Sequence, residues 1–196
     1  MRITKEQAEQ NRHLIVETAS RMFRLHGMEN VSVADIMKES GFTHGGFYNH
    51  FESKDELAAE AIASAFDGVA ANLSEKLASG KQTQGSLSSF IAQYLSPTHR
   101  DTKSGGCPAP ALSGEVARSG KTVQTAFVKG IETYLDIIGA HTRGDEQKAR
   151  QQAIALFSGL VGAMMLSRAV KKSDPTLSDE LLTSARNILK QEMVHA

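Results

Sequence analysis

Apolar residues recur at helical spacing along most of this 196-residue chain. Ile15, Ala19, Met22 and Phe23 fall at positions i, i+4, i+7 and i+8, the period expected when a helix buries one face. No long stretch alternates apolar and polar residues as a half-buried strand would. Proline, which interrupts helices, is absent before Pro97. The sequence therefore predicts an all-α fold.

Capping residues divide the N-terminal region into four helices. Gly27 is predicted to end the first helix, because glycine readily adopts the conformation found just beyond a helix C-terminus. Ser32 can cap a second helix, which would end at Gly41. Thr43 would cap a third, short helix, and Ser53 would begin a fourth and longer one.

The remainder of the chain is predicted to be a larger helical unit. Its helices are expected near residues 84–96, 109–119, 121–142, 145–171 and 176–193. The segment SPTHRDTKSGGCPAP, residues 96–110, is rich in proline and glycine and is predicted to be a loop. We expect two domains, one in residues 1–56 and one in residues 57–196.

The stretch GFTHGGFYNHFESKDEL, residues 41–57, has the order of a helix-turn-helix. Phe47 and Phe51 would anchor its second helix, which lies in the DNA major groove in that arrangement. The outward positions contain no carboxylate, although carboxylates are common elsewhere in the first 56 residues. An anionic partner explains that absence. Gly45, which has no side chain, would let the backbone approach a base or sugar closely.

The longer segment SVADIMKESGFTHGGFYNHFESKDEL resembles the DNA-binding signature of the TetR family of transcriptional repressors. Phe47, Tyr48, Phe51 and Lys54 fall in register with the family pattern. The resemblance implies an N-terminal helix-turn-helix DNA-binding domain followed by a C-terminal helical domain for ligand binding and dimerisation. It also implies that the protein binds a palindromic operator on double-stranded DNA as a homodimer.

The resemblance assigns two kinds of DNA contact. The residues implied to contact phosphates are Thr43, Tyr48, His50 and Lys54. The residues implied to approach base edges are His44, Gly45 and Asn49. Asparagine suits adenine, whose major-groove edge offers both an acceptor and a donor.

Charge alone does not indicate a nucleic-acid partner. The chain carries 22 Lys+Arg and 22 Asp+Glu, and residues 1–56 carry 7 Lys+Arg and 9 Asp+Glu, a net charge of 7 − 9 = −2. A basic patch is the usual footprint of nucleic-acid binding. We therefore expect attraction to DNA to depend on the placement of Arg12 and Lys54, on helix N-termini, and on protonated His44 and His50.

A run of 17 uncharged residues, 151–167, indicates a dimer interface. The run is shorter than the roughly 20 apolar residues that span a bilayer, so a buried helix is predicted and no membrane partner is expected. Small residues along it would let a second helix approach closely, although packing within one subunit is the alternative. The predicted interface residues are Ala155, Gly159, Leu160, Gly162, Leu181 and Ile188.

The other helices would enclose a pocket for an unknown small-molecule effector. The candidate wall residues are Phe90, Tyr94, Cys107, Phe127, Tyr134, Met164 and Met165. Such side chains at helical spacing are also common in an ordinary core, and that alternative stays open. In the TetR family, the ligand moves the DNA-binding helices apart and releases the operator.

Cys107 is the single cysteine, which excludes an intrachain disulfide and fits a reducing cytoplasm. Its position beside the start of a helix predicts a lowered thiol pKa and reactivity toward oxidants or electrophiles. A buried, inert cysteine is the alternative. An enzyme using Cys107 as nucleophile would need a base, for which His99 is the only histidine close in sequence. We expect a regulator, with no enzymatic activity, cofactor or metal.

Overall fold

The computed structural model describes residues 4–79 and 84–195, in which the chain is helical and contains no strand. The helices are α1 (Lys5–His26), α2 (Val33–Glu39), a 3₁₀ helix (His44–Asn49), α3 (Lys54–Ser79), α4 (Gln84–Tyr94), α5 (Pro97–Asp101), α6 (Ala109–Val116), α7 (Lys121–Gly139), α8 (Glu146–Val170) and α9 (Pro175–His195). The predicted all-α class is confirmed.

Most of the predicted helix ends in the N-terminal region are confirmed. Gly27 follows α1 with φ +86° and Gly41 follows α2 with φ +82°, a left-handed backbone that glycine adopts without steric cost. Ser32 and Asp35 form a reciprocal capping box at the start of α2. Thr43 occupies the predicted N-cap position of the third helix, but its side chain makes no capping hydrogen bond and that helix is 3₁₀.

The predicted loop at residues 96–110 contains two helical segments. Ser96 accepts a hydrogen bond from the N–H of His99 at 3.2 Å, and Pro97 occupies the first turn of α5. Proline is well suited to that position, because its missing N–H would have no helical partner there. A prediction of loop from proline content alone was therefore wrong for Pro97–Asp101.

The N-terminal unit is built around one apolar core. Phe23 of α1, Ile36 of α2 and Leu57 of α3 are buried together with Phe47 and Phe51. The predicted domain boundary at residues 56 and 57 falls in the first turn of α3. This helix therefore runs from the small N-terminal core into the larger unit.

The larger unit is organised by two helix pairs. The ring of Phe66 on α3 occupies the space that a Cβ at Gly130 of α7 would need, so the glycine allows α3 and α7 to pack closely. The hydroxyls of Ser167 and Ser178 lie 2.8 Å apart and join α8 to α9. Arg100, which is buried, donates to Ser178 at 2.9 Å and so fixes α5 beside α9.

Candidate functional site

One face of the 3₁₀ helix is buried and the other is open to solvent. Phe47 and Phe51 are buried, with ring centroids 5.5 Å apart. The opposite face exposes five of the predicted DNA-binding residues, which we call the recognition surface: Thr43, His44, Gly45, Tyr48 and Asn49. Tyr48 is 70% exposed, and its ring meets Phe47 edge-on at 5.3 Å. The packed rings of Phe47 and Phe51 thus support a polar, carboxylate-free surface that faces solvent.

The two adjacent glycines have different surroundings. A Cβ built at Gly45 would meet no atom within 4 Å, whereas one at Gly46 would lie 3.7 Å from Cε of Met37 on α2. Gly46 therefore faces the neighbouring helix. Gly45 faces solvent, so no packing in the free protein accounts for a glycine there.

Arg12 is engaged inside the protein. Its guanidinium donates to Glu56 at 2.9 Å and also pairs with Glu60. It lies 4.1 Å from the centroid of the Phe51 ring, a cation–π geometry. Arg12 thus fastens α1 to α3 behind the 3₁₀ helix, and a phosphate contact would have to compete with two carboxylates.

Two of the other three predicted cations, Lys54 and His50, are also constrained. Lys54 Nζ donates to the carbonyl of Met28 at 2.6 Å, which joins the start of α3 to the end of α1. Burial and the nearby Arg12 lower the pKa of His50, so this side chain is neutral near pH 7. The roles of Arg12, His50 and Lys54 at DNA phosphates stay predictions.

Residues 15–61 match the family model described as bacterial regulatory proteins, tetR family. The match includes α2, the 3₁₀ helix and the packed Phe47 and Phe51. The chain belongs to the TetR family. It is a DNA-binding transcriptional regulator of that family.

The likeness extends beyond the DNA-binding region. This chain is 26% identical over 171 residues to the HTH-type transcriptional regulator YxaF of Bacillus subtilis. The alignment covers 85% of this chain and 90% of that protein. The crystal structure of Escherichia coli NemR in its reduced form aligns with a TM-score of 0.79 at 20% identity, covering 93% of this chain and 96% of that one. A TetR regulator from Chloroflexus aurantiacus gives 0.79 at 24% identity, covering 96% of each chain. These two structures show a shared fold.

A cavity of about 550 Å³ lies in the larger unit. Its walls come from α3, α4, α7 and residues 96–107. Four of the predicted wall residues line it, namely Phe90, Tyr94, Cys107 and Tyr134. Two other groups in the wall, His99 and Lys76, were not predicted as ligand contacts, because local spacing does not show which helices share a cavity.

The other three predicted wall residues lie elsewhere. Phe127 packs edge-on against Phe66 at 5.4 Å, in the core between α3 and α7. Met164 is fully buried and Met165 is 39% exposed on α8. The structure thus places none of these three in the wall of this cavity, to which α7 contributes Tyr134 and α8 contributes no described residue.

Burial dominates the chemistry of Cys107. The residue is 2% exposed, and desolvation raises the pKa of its thiol although the nearby hydroxyls of Tyr94 and Tyr134 and the N–H of Ala109 act to lower it. The prediction of a lowered thiol pKa was therefore wrong. The helix N-terminus acts in the expected direction but does not offset the loss of water.

His99 is positioned as a structural group beside the thiol. Its Nδ1 lies 2.7 Å from the carbonyl of Tyr94, and its Nε2 accepts the N–H of Cys107 at 3.2 Å. This pattern requires the neutral ring with the proton on Nδ1, consistent with the lowering of its pKa by burial. Neither ring nitrogen is open to accept a proton from the thiol.

The predicted interface residues divide into two groups. Leu160 is fully buried within the chain, and a Cβ at Gly159 would lie 3.1 Å from Leu189 of α9. Both residues pack inside the subunit, so the structure corrects their assignment. A Cβ at Gly162 would meet nothing within 4 Å, and Ile188 is 54% exposed. These two face outward.

The outward side of α8 and α9 is apolar. It includes the exposed residues Ile154, Ala155, Met165, Leu166, Leu177 and Ile188, with Leu181 half-buried. Among the described helices, only α8 is long and apolar enough to cross a membrane, and 39% of its apolar window is buried in the single chain. One face of α8 is therefore uncovered in the single chain, and its burial by a second subunit stays a prediction.

Within the part of the chain that the structure describes, no three His, Cys, Asp or Glu side chains come together as metal ligands.

Proposed function

We propose that this TetR regulator is a homodimeric repressor. It binds a palindromic operator through the recognition surface and leaves the DNA when a small molecule occupies the 550 Å³ cavity. The observation that carries the proposal concerns the two faces of this segment. The rings of Phe47 and Phe51 are buried, while Thr43, Tyr48 and Asn49 form an exposed surface without carboxylates.

The recognition surface has the groups needed for both kinds of DNA contact. The hydroxyls of Thr43 and Tyr48 can donate to phosphates, which fix register without reading sequence. Asn49 can make a bidentate contact to an adenine edge, and the open space at Gly45 lets the backbone come close. Because few cations are free here, we expect modest affinity for each subunit and a need for two half-sites.

Dimerisation through α8 and α9 would cover the uncovered apolar face. Exposed apolar patches of this kind usually mark interfaces, and a symmetric pair presents the same patch twice. Gly162 allows close approach of a partner helix, while Leu166 and Ile188 provide apolar area. The same packing would account for an uncharged helix without any membrane.

A polar path connects the cavity to the DNA-binding unit. Arg24 of α1 donates to the carbonyl of Gly106 at 2.9 Å, one residue before Cys107 in the cavity wall. From Cys107 the chain enters α6, where the carboxylate of Glu115 accepts the N–H of Met28 at 2.5 Å. The Met28 carbonyl accepts from Lys54, at the start of the helix after the recognition surface. A ligand that displaces this wall would therefore disturb both contacts at the C-terminal end of α1.

Cys107 favours release by a reversible ligand over release by an electrophile. A thiol with a raised pKa has little thiolate at neutral pH, and thiolate is the reactive form. NemR of Escherichia coli has a structure described as a reduced form, which concerns the redox state of that protein. An oxidant or electrophile acting on Cys107 is the second candidate, supported by its place in the cavity wall.

The proposal is tested by selecting duplexes that the purified protein retains from random DNA at low ionic strength. We expect an inverted-repeat sequence and, by sedimentation, two or more chains on each selected duplex. Compounds are then screened for release of that duplex. Retention of no sequence above the random background contradicts the proposal.

A further inference from the structure

The cavity contains a buried hydroxyl that lacks a partner. Tyr94 lines the cavity and is 5% exposed. Its Oη lies close to the weakly accepting Cys107 thiol but has no hydrogen-bond partner of good geometry among the described residues. Burial raises the pKa of Tyr94 well above its ordinary value, so the hydroxyl remains protonated and able to donate. A buried donor without an acceptor is costly, and a bound ligand is one way to satisfy it.

Two arginines lie directly behind the cavity wall. Arg168 of α8 donates to the carbonyls of Arg100 at 3.1 Å and His99 at 3.0 Å, and its Nη1 is buried without a partner among the described residues. Arg24 of α1 donates to the carbonyl of Gly106 at 2.9 Å. Both guanidinium groups are close enough to influence the Cys107 thiol electrostatically.

Neither arginine forms an ion pair with a carboxylate among the described residues. The ion pairs between described residues do not include Arg24 or Arg168. Asp101 lies close enough to raise the pKa of Arg168, but its carboxylate is paired with Arg100 at 2.8 Å. The positive charge of the two guanidinium groups is therefore poorly compensated by the chain.

The described part of the cavity wall supplies no negative charge. Its described lining contains Lys76, whose Nζ donates to Gln93 at 2.8 Å, and no Asp or Glu. Burial raises the pKa of Cys107 and of Tyr134, so both stay neutral near pH 7.

Apolar side chains form the rest of the wall. Val69 and Leu73 of α3 and Phe90 of α4 line the cavity, and its volume of about 550 Å³ is in the range that accepts small organic molecules. An inorganic anion would leave these side chains without a contact. The occupant should therefore have an apolar body as well as a charge.

We propose that the effector is an organic carboxylate, whose charged oxygens accept a hydrogen bond from Tyr94 and face Arg168 while its apolar body packs on Leu73 and Phe90. The inference rests on the assignment of this cavity as the effector site in the proposed function. Hydrogen bonds to a charged acceptor are stronger than neutral ones, and a low local dielectric increases the attraction of the guanidinium groups.

The first test compares two probes of nearly equal shape, 2-naphthoate and 2-naphthamide, by isothermal titration calorimetry at pH 7.5. We expect the carboxylate to bind the full-length protein at least roughly tenfold more tightly than the amide. The inference is overturned if the two affinities are equal, if the amide binds more tightly, or if the carboxylate has a dissociation constant above about 1 mM.

The second test uses variants. Tyr94→Phe should weaken 2-naphthoate binding about fivefold to tenfold while leaving 2-naphthamide nearly unchanged, and Arg168→Lys, which keeps the charge, should weaken it less than Arg168→Gln. Arg150→Gln, on the same helix as Arg168 but in an exposed pair with Glu132 at 2.8 Å, is the matched control and should bind both probes as the parent does. Unchanged carboxylate affinity in both Tyr94→Phe and Arg168→Gln contradicts the assignment.

The two proposals fail in different ways. If carboxylates bind in the cavity but never alter operator binding, the ligand class stands and effector-controlled release is wrong. If only neutral or cationic compounds release the operator, release stands and the anion inference is wrong.

Discussion

The carboxylate of Glu115 on α6 accepts a hydrogen bond from the N–H of Met28 at 2.5 Å. The carbonyl of the same residue, Met28, accepts from Lys54 Nζ at 2.6 Å. The turn between α1 and α2 is thus held on one side by the larger unit and on the other by the helix that follows the recognition surface. A movement of α6 would be transmitted to the DNA-binding unit through this turn.

Glu115→Ala should weaken that connection. The variant leaves the buried Met28 N–H without an acceptor, which predicts a loss of unfolding free energy of about 1–3 kcal/mol and faster amide exchange at Met28. Glu132→Ala is the matched control, because Glu132 makes an exposed pair with Arg150 at 2.8 Å that should contribute less than about 1 kcal/mol. Urea unfolding and hydrogen exchange measure both effects. Equal behaviour of the two variants would show that Glu115 is not a link.

Gly27→Ala should destabilise the protein more than Gly41→Ala. Both glycines have positive φ, which costs other residues about 1–2 kcal/mol. A Cβ at Gly27 would also overlap the Glu115 carboxylate, whereas one at Gly41 would meet nothing within 4 Å. We expect the difference in urea midpoint to shrink when Gly27→Ala is combined with Glu115→Ala. A difference that persists in the double variant contradicts the overlap.

Cys107 should be slow to alkylate in the folded protein. Because its pKa is raised from 9.0, the folded state retains the proton where the unfolded chain has begun to lose it. Stability from this group is present below about pH 9 and is lost as pH rises further. Iodoacetamide labelling followed by mass spectrometry should be at least about 100-fold slower than after unfolding, and Cys107→Ala should flatten the alkaline fall in stability. Rapid labelling at pH 7 would favour the electrophile alternative.

Ile188→Glu should separate the subunits. A charge in the centre of an apolar interface is left without a partner, which should raise the dissociation constant of the dimer about 100-fold or more. Val128→Glu, on α7 at a residue of similar exposure, should leave the mass in solution unchanged. Sedimentation equilibrium distinguishes the two variants. A dimeric Ile188→Glu protein would place the interface elsewhere.

Sequence reasoning located features determined by neighbours in the chain. The helix ends at Gly27 and Gly41 follow from backbone conformation, and the Ser32 cap follows from a side chain reaching three residues along. The buried face of the 3₁₀ helix, and the recognition surface opposite it, follow from the spacing of Phe47 and Phe51. Each of these is decided within a few residues.

The sequence alone did not show features that depend on which helices pack against each other. Leu160 and Gly162 lie two residues apart in the same uncharged run, yet one is in the core and the other faces outward. The packing of neighbouring helices against α8 decides between them. In the same way, His99 and Arg168 meet at the cavity wall although 69 residues separate them in the sequence, and no local pattern indicates that contact.

The most direct test is to measure binding of the selected duplex, and of its single-base variants, to the parent protein, Tyr48→Ala and Asn49→Ala. We expect Tyr48→Ala to weaken binding to every duplex by a similar factor, with little change in unfolding free energy because the side chain is 70% exposed. Asn49→Ala should instead lose about 1–3 kcal/mol of discrimination at one base position in each half-site. If both variants bind all the duplexes as the parent does, the recognition surface lies elsewhere and the account is wrong.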